Sequence, residues 1–317
     1  MNILIVTNLR SGFGDSGLYE YVRELGSHRA EVTLRFLNEG ADLQHLLRDA
    51  REYARVVAAG GDGTVSAVAY ALRDTGIPVL PYPAGTANLI ARNLGIPLDP
   101  AGLALATISG RTVTIDLGEL SISPRSGYGV RKQGFSIAAG AGFDAQLMEA
   151  ARPLKTTLGE GAYIIGAIQS LVPTVSQFRL NLDGRVVETE GIAVLLMNLA
   201  RIQFDIAVTH GADAQDGLLE VVVLKPTSPA GLLPAVWAAL LDRLRDHPAR
   251  PGLEIHTAAS IEVFADPKLP LEYDGELLHA TTPFSARVLP RAATFIVSEE
   301  SPLPQDRFAT NGDTPGT

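Results

Sequence analysis

Val56-Val57-Ala58-Ala59-Gly60-Gly61-Asp62-Gly63-Thr64-Val65 is the stretch from which the fold is read. Four small apolar residues form a strand, and the strand runs straight into three glycines, an acid and a hydroxyl. A helix follows, with Val65, Val68, Ala69 and Leu72 on one face. The glycines permit tight turning and let a bulky anion approach the backbone. The first turn of the helix offers N–H groups and a partial positive charge to a phosphate. Asp62 is badly placed to touch phosphate directly, and makes chemical sense if a hydrated Mg²⁺ lies between the two. The alternative is a plain strand–turn–helix corner in which Asp62 or Thr64 is the N-cap.

Working outward, short β-rich runs alternate with helical patterns through the first third of the chain. Strands are expected at Ile3–Thr7, Val32–Phe36, Val56–Ala59 and Val79–Tyr82. Helices are expected at Leu18–Leu25, Leu43–Tyr53, Val65–Arg73 and Ala87–Asn93. This order predicts an α/β, doubly wound, mostly parallel sheet, whose ligands bind at the carboxyl ends of the strands. Near Asp116 the pattern changes to strand-like runs: Thr112–Leu117, Phe135–Ala138, Phe178–Leu182, Val186–Thr189, Ile192–Met197, Leu219–Leu224, Ile261–Ala265 and Leu271–Tyr273. Asp183-Gly184 is a hairpin turn. Helical patterns interrupt these runs at Ala145–Ala151 and Leu232–Arg245. The expected division is residues 1–115, a β-rich domain over 116–286, a strand near 287–297 that rejoins the first domain, and a mobile tail over 298–317.

Three further segments carry chemistry. Val79-Leu80-Pro81-Tyr82-Pro83 leads into the small polar loop Ala84-Gly85-Thr86-Ala87-Asn88 and then into the helix-opening Leu89-Ile90-Ala91-Arg92-Asn93. This repeats the strand–loop–helix layout, so the two loops would face each other across one cleft. Thr86 is suited to bonding phosphate or ribose, or to capping the helix. Val6-Thr7-Asn8-Leu9-Arg10-Ser11-Gly12-Phe13-Gly14 is a polar, glycine-bearing loop after the first strand. Tyr273-Asp274-Gly275-Glu276, far downstream, reads by itself as a turn with a solvated acid.

Bulk properties exclude several classes. At 317 residues, 46% apolar and 19% charged, the chain is an ordinary globular protein long enough for two domains. It has no cysteine, which removes disulfides, thiolate metal sites and thiol catalysis, and fits a reducing cytoplasm. A net charge of −9 argues against nucleic-acid binding. The N-terminal run reads as a strand rather than a leader. No apolar run reaches the ~18 residues of a membrane span; the longest, Gly231–Leu241, is followed by Asp242, Arg243 and Arg245. The six histidines lack metal-ligand spacing, and neither a Walker A lysine nor a protein-kinase signature is present.

Taken together, the four segments resemble the diacylglycerol kinase catalytic-domain family, soluble bacterial lipid kinases that are themselves similar to sphingosine kinases. The resemblance reaches to about residue 297. Asn8-Leu9-Arg10-Ser11-Gly12 is similar to the family's Asn-Pro-x-Ser-Gly start, Gly60–Thr64 matches in full, and Gly85–Arg92 resembles its Gly-Thr-x-Asn-Asp-Phe-Ala-Arg. Asp116-Leu117-Gly118, the glycine-rich Phe135–Ala145, Asp216-Gly217-Leu218-Leu219 and Asp274-Gly275-Glu276 follow in the family's order. The fold implied is an N-terminal Rossmann-like α/β domain with a C-terminal β-rich sandwich domain. The activity implied is ATP-dependent phosphorylation of a hydroxyl of diacylglycerol or a related lipid.

The resemblance also implies roles. Asn8, Leu9, Arg10, Ser11, Gly12, Asn38, Gly60, Gly61, Asp62, Gly63, Thr64, Val65, Ser66, Ala67, Gly85, Thr86 and Asn88 would line the ATP site. Asp62 and Asp116 would hold catalytic Mg²⁺ through water, and Glu276 would be the general base on the lipid hydroxyl. Asp216 and the Leu218 carbonyl would hold a structural Mg²⁺. Leu9 stands where the family has proline, and Leu89 where it has an aspartate of the metal network. Either Asp62 and Asp116 suffice, or metal binding is altered. Leu147–Leu171 and Leu232–Leu244 carry apolar residues at helical spacing, which fits core-facing helices or a lipid-entry lip. The expected partner is a lipid met transiently at a membrane surface by a cytoplasmic protein; a homodimer is compatible with the sequence. Competing functions are an NAD kinase, which shares Gly-Gly-Asp-Gly-Thr, and a non-catalytic nucleotide or lipid binder.

Overall fold

The computed structural model describes residues 1–8, 16–38, 40–123, 130–142, 174–199, 201–202, 206–207, 213–225, 252–299, 301 and 303. Strand and helix alternate at the start: β1 (Asn2–Asn8), α1 (Ser16–Ser27), β2 (Glu31–Leu37), α2 (Leu43–Leu46), a 3₁₀ turn at Ala50–Glu52, β3 (Arg55–Gly60), α3 (Asp62–Ala71), β4 (Val79–Pro83), α4 (Leu89–Asn93) and α5 (Pro100–Ser109). Strands then dominate: β5 (Arg111–Ile122), β6 (Arg131–Phe135), β7 (Ala138–Gly142), β8 (Ser176–Leu182), β9 (Arg185–Gly191), β10 (Ala193–Met197), β11 (Arg201–Ile202), β12 (Ile206–Ala207) and β13 (Leu219–Leu224). The last are β14 (Leu253–Ala258), β15 (Ser260–Asp266), β16 (Pro270–Tyr273), β17 (Glu276–Thr281) and β18 (Phe284–Val297).

The chain forms two units, Met1–Ile115 with Arg291–Thr317, and Asp116–Pro290. In the first, the strand order is β2-β1-β3-β4-β18 and neighbouring strands run parallel. Ile3 to Val6 and Val56 to Ala59 are completely buried, the hallmark of strands covered on both faces. Tyr21 of α1 and Thr107 of α5 share a buried hydroxyl–hydroxyl bond of 2.6 Å. The helix expected over Leu43–Tyr53 stops after one turn. Arg35 Nη1 donates to the Leu46 carbonyl and to Asp49 Oδ1, each at 2.5 Å, and the Ala50 N–H turns to the Leu47 carbonyl instead. Helix α5 was absent from the expectations, although Asp99 caps it through the Gly102 N–H at 2.7 Å and Pro100 opens it.

The second unit holds a six-stranded antiparallel sheet ordered β14-β13-β10-β7-β16-β17, and a second layer in which β15 lies between β18 and β8, with β9 beyond. One core joins the layers: Phe178, Leu180, Ile261 and Val263 from one, Val194, Leu196 and Val221 from the other. This is a β-sandwich. The hairpin at Asp183-Gly184 has positive φ at both residues, 51° and 90°, as a two-residue turn of this kind requires. Phe135–Ala138, expected as a strand, is instead the corner between β6 and β7. Strands β14 and β17 were not foreseen. The Ala145–Ala151, Leu147–Leu171 and Leu232–Arg245 expectations, and most of the 298–317 tail, lie outside the described residues.

Candidate functional site

In the first unit the strand order reverses direction at β1, and a doubly wound sheet binds ligands at the carboxyl ends of the strands around such a reversal. The end of β1 and the loops that leave β3 and β4 meet there. Asn8, the last residue of β1, donates from Nδ2 to Thr64 Oγ1 at 3.2 Å, tying the end of that strand to the start of α3. The β3 and β4 loops approach until a methyl group on Gly85 would lie 2.5 Å from Gly61 Cα, so only a hydrogen fits at Gly85. Asn88 holds the β4 loop in shape. It adopts φ 50°, accepts the Gly85 N–H at Oδ1 (2.8 Å) and donates from Nδ2 to the Gly85 carbonyl (2.9 Å).

Asp62 is half-buried and spans the two loops. Its Oδ1 accepts the Ile90 N–H at 2.8 Å, so the carboxylate caps α4, not its own helix. The N-cap of α3 is Gly61, without a side-chain bond; Thr86 is exposed, and the N-cap position of α4 is Asn88, which makes no side-chain cap bond of its own. The simple corner in which Asp62 or Thr64 caps α3 is therefore not what forms. Burial pushes the Asp62 carboxyl above its ordinary range, while the N–H groups of Ile90 and Leu89 pull the other way. Leu89 thus serves this carboxylate through its main chain.

The structure gathers Asn8, Gly60, Gly61, Asp62, Gly63, Thr64, Gly85 and Asn88. Thr64, Val65 and Ser66 are buried, Ala67 is half-buried, and Asn38 is exposed just past β2. Leu9, Arg10, Ser11 and Gly12 lie outside the described residues. Among the described residues no group of three or more His, Asp or Glu side chains gathers around one point. A hydrated Mg²⁺ needs only one or two carboxylates. Asp62 suits it, because a nearby cation would favour the charged form that burial opposes.

In the second unit Asp116 of β5 is fully buried. Its Oδ2 accepts the Gly217 N–H at 2.7 Å and its own N–H donates to the Ala214 carbonyl at 2.7 Å, so the acid is held by the Asp213–Leu218 loop. In that loop Asp216 Oδ1 accepts the Leu218 N–H at 2.9 Å, and Asp213 Oδ1 the Gln215 N–H at 3.0 Å. Burial and the neighbouring Asp213 charge push the Asp216 carboxyl up. Gly118 has no room for a side chain, because the Phe135 ring occupies the place at 1.9 Å.

Asp274 is not a solvated turn acid. Its carboxylate accepts three successive N–H groups, from Ser136 (2.9 Å), Ile137 (2.8 Å) and Ala138 (3.1 Å). Those amides cannot join a ladder, which is why Phe135–Ala138 bends instead of continuing as a strand. Glu276 is exposed at the start of β17 and accepts a bond from the Tyr273 hydroxyl at 3.0 Å. Burial, then the Glu276 charge, pushes the Tyr273 hydroxyl far up, so it stays protonated and donates. Tyr273 and Asn198 carry little sequence signal for these contacts: Tyr273 reads as the end of a strand, and the signal at Asn198 is a polar residue closing the apolar run Ile192–Met197.

Residues 2–120 match the model of the diacylglycerol kinase catalytic domain, and residues 137–297 that of the YegS C-terminal NAD kinase beta sandwich-like domain. An uncharacterized protein of Synechocystis is 31% identical over 250 residues, 78% of this chain but 55% of that protein's length. A probable lipid kinase YegS-like protein of Pseudomonas fluorescens is 31% identical over 304 residues, 92% of this chain and 95% of its own. A diacylglycerol kinase of Mycobacterium tuberculosis is 29% identical over 279 residues, covering 83% and 87%. The crystal structure of a diacylglycerol kinase from Bacillus anthracis shares the fold, with a TM-score of 0.68 at 20% identity over 94% of this chain and 97% of that one. The chain belongs to the diacylglycerol kinase catalytic-domain family of lipid kinases.

Proposed function

We propose that this protein transfers the terminal phosphate of ATP to a hydroxyl of diacylglycerol or a related lipid, which it meets transiently at a membrane surface. The observation that carries the reading is the convergence of the end of β1 with the β3 and β4 loops around Gly61 and Gly85, in a chain whose relatives are lipid kinases. Gly61, Gly63 and the start of α3 bring backbone N–H groups to the phosphates, as phosphoryl transfer requires of its positioning groups. Asn8 sets the Thr64 hydroxyl at the same place. Asp62 in the first unit and Asp116 in the second would each hold Mg²⁺ through water; a bound ion neutralises charge on the transferring phosphate. Asp216 and the Leu218 carbonyl would hold a second, structural cation.

Glu276 accepts the proton of the lipid hydroxyl as that oxygen attacks phosphorus. The Tyr273 hydroxyl fixes the orientation of Glu276 through Oε2. The test is labelled ATP offered with mixed lipids, and separately with NAD, to the wild-type chain and to Asp62→Asn and Glu276→Ala. Label in a lipid that disappears in both variants supports the reading. Label in NAD alone, or lipid labelling that survives both substitutions, overturns it. Among the described residues no helix is long and apolar enough to cross a membrane, and vesicle co-sedimentation would test the peripheral contact.

A further inference from the structure

We propose that Asn198 is a positioning residue, which registers Asp116 against the turn that carries Glu276. The inference rests on the roles proposed above for those two acids, and goes beyond them by naming what fixes one relative to the other. Asn198 is 2% exposed and sits just past β10, inside the second unit. Its Nδ2 donates to the Asp116 carbonyl at 2.9 Å and to the Ser136 carbonyl at 2.9 Å. Two carbonyl acceptors fix which end of the amide is nitrogen. Its main-chain N–H donates to the Ile137 carbonyl at 2.8 Å.

The Ser136–Ala138 corner is therefore gripped twice. Asn198 takes the carbonyls of Ser136 and Ile137, and Asp274 takes the N–H groups of Ser136, Ile137 and Ala138. The Asp274 N–H returns a bond to the Ala138 carbonyl at 2.8 Å. A continuous path results: Asp116 carbonyl, Asn198 amide, Ser136 peptide, Asp274 carboxylate, and then two covalent steps to Glu276.

A second observation separates this from ordinary packing. Asn198 Oδ1 and the neighbouring Ser136 Oγ are buried without a partner among the described residues. An unpaired buried amide oxygen disfavours folding. An apolar side chain that ends the run Ile192–Met197 would avoid that penalty but would leave the Asp116 and Ser136 carbonyls without these donors. What the amide supplies is two N–H donors, one on the segment that bears Asp116 and one on the corner that Asp274 holds.

Asn198→Asp is the decisive variant. It keeps the shape but turns an oxygen toward two carbonyls, so both donors are lost. The expected result, on protein shown folded by circular dichroism, is a kcat for lipid phosphorylation lower by roughly 10- to 100-fold. KM for ATP stays within about twofold. Hydrogen exchange quickens at Ser136–Ala138 and at the Asp274–Glu276 turn, while Asp62–Thr64 is unchanged. A wild-type kcat, or unaltered exchange at Ser136–Ala138, overturns the inference. Asn198→Ser, which keeps one donor, replaces it if Asn198→Asp does not fold, and is expected to lose less activity; full activity there overturns the inference too. If the wild type labels no lipid, the proposed function fails, and exchange still decides the linkage: quickening at both segments supports it and unchanged protection refutes it.

Discussion

Asp62→Asn separates what Asp62 does for the fold from what it does for chemistry. In the structure the carboxylate accepts the N–H of Ile90, a completely buried residue, at 2.8 Å. Removing the acceptor, as in Asp62→Ala, leaves that N–H unpaired and costs about 1–3 kcal/mol. Asparagine keeps a carbonyl oxygen for Ile90. It exchanges a charge-assisted bond for a neutral one, a loss of about 1 kcal/mol that is offset by no longer burying a charge. Asp62→Asn is therefore expected to hold wild-type stability within about 1 kcal/mol, while lipid phosphorylation falls at least ~100-fold with the loss of the charge. The pH dependence has a definite sign. The Asp62 carboxyl is raised above its ordinary 3.8 in the folded protein. Its favourable contribution is complete below 3.8 and is lost as pH rises through the folded value. The stability of Asp62→Asn relative to wild type should accordingly improve from pH 4 toward neutrality. Urea unfolding followed by circular dichroism at several pH values, beside the labelling assay, reads both quantities. If Asp62→Asn loses as much stability as Asp62→Ala, or the difference is flat with pH, the reasoning about Ile90 and the buried charge is wrong.

Three further outcomes are expected. Gly85→Ala places a methyl group 2.5 Å from Gly61 Cα, where the obstacle is backbone; stability should fall by roughly 1–3 kcal/mol and KM for ATP should rise, seen by denaturation and steady-state kinetics. Asp274→Ala strips the acceptor from three N–H groups, so a loss of roughly 3 kcal/mol or more is expected in urea unfolding; a loss below ~1 kcal/mol would mean that other groups satisfy them. Glu276→Gln keeps an oxygen for Tyr273 on an exposed site, so stability should move by no more than ~0.5 kcal/mol. Its kcat should fall by about 10²- to 10⁴-fold with ATP affinity unchanged, and equal losses in kcat and ATP binding would count against a base.

Much of the first unit was legible because its signals are local. Val56–Ala59, Ile3–Thr7 and Val79–Tyr82 are short apolar runs that end in glycine or polar residues, and each forms a strand within two residues of its expected limits. Asp99-Pro100 is an equally local signal, for α5. The shortened helix at Leu43 was not legible, because Arg35 of strand β2 takes the Leu46 carbonyl. The corner at Ser136–Ala138 reads as a strand by composition, and bends because a carboxylate more than a hundred residues away accepts its amides.

The sequence by itself determined the kinds of groups present: a glycine loop with an acid and a hydroxyl after a buried strand, a second such loop, and acids spaced along a β-rich remainder. Short-range periodicity and turn chemistry carry that information, since they depend on neighbours in the chain. Tertiary structure alone decided which atoms those groups engage. Asp62 faces Ile90, Gly85 meets Gly61, Asp274 binds three amides, and Asn198 bridges Asp116 to Ser136. Hydrogen bonds demand partners within about 3 Å, and residues far apart in sequence come that close only when the sheets have packed.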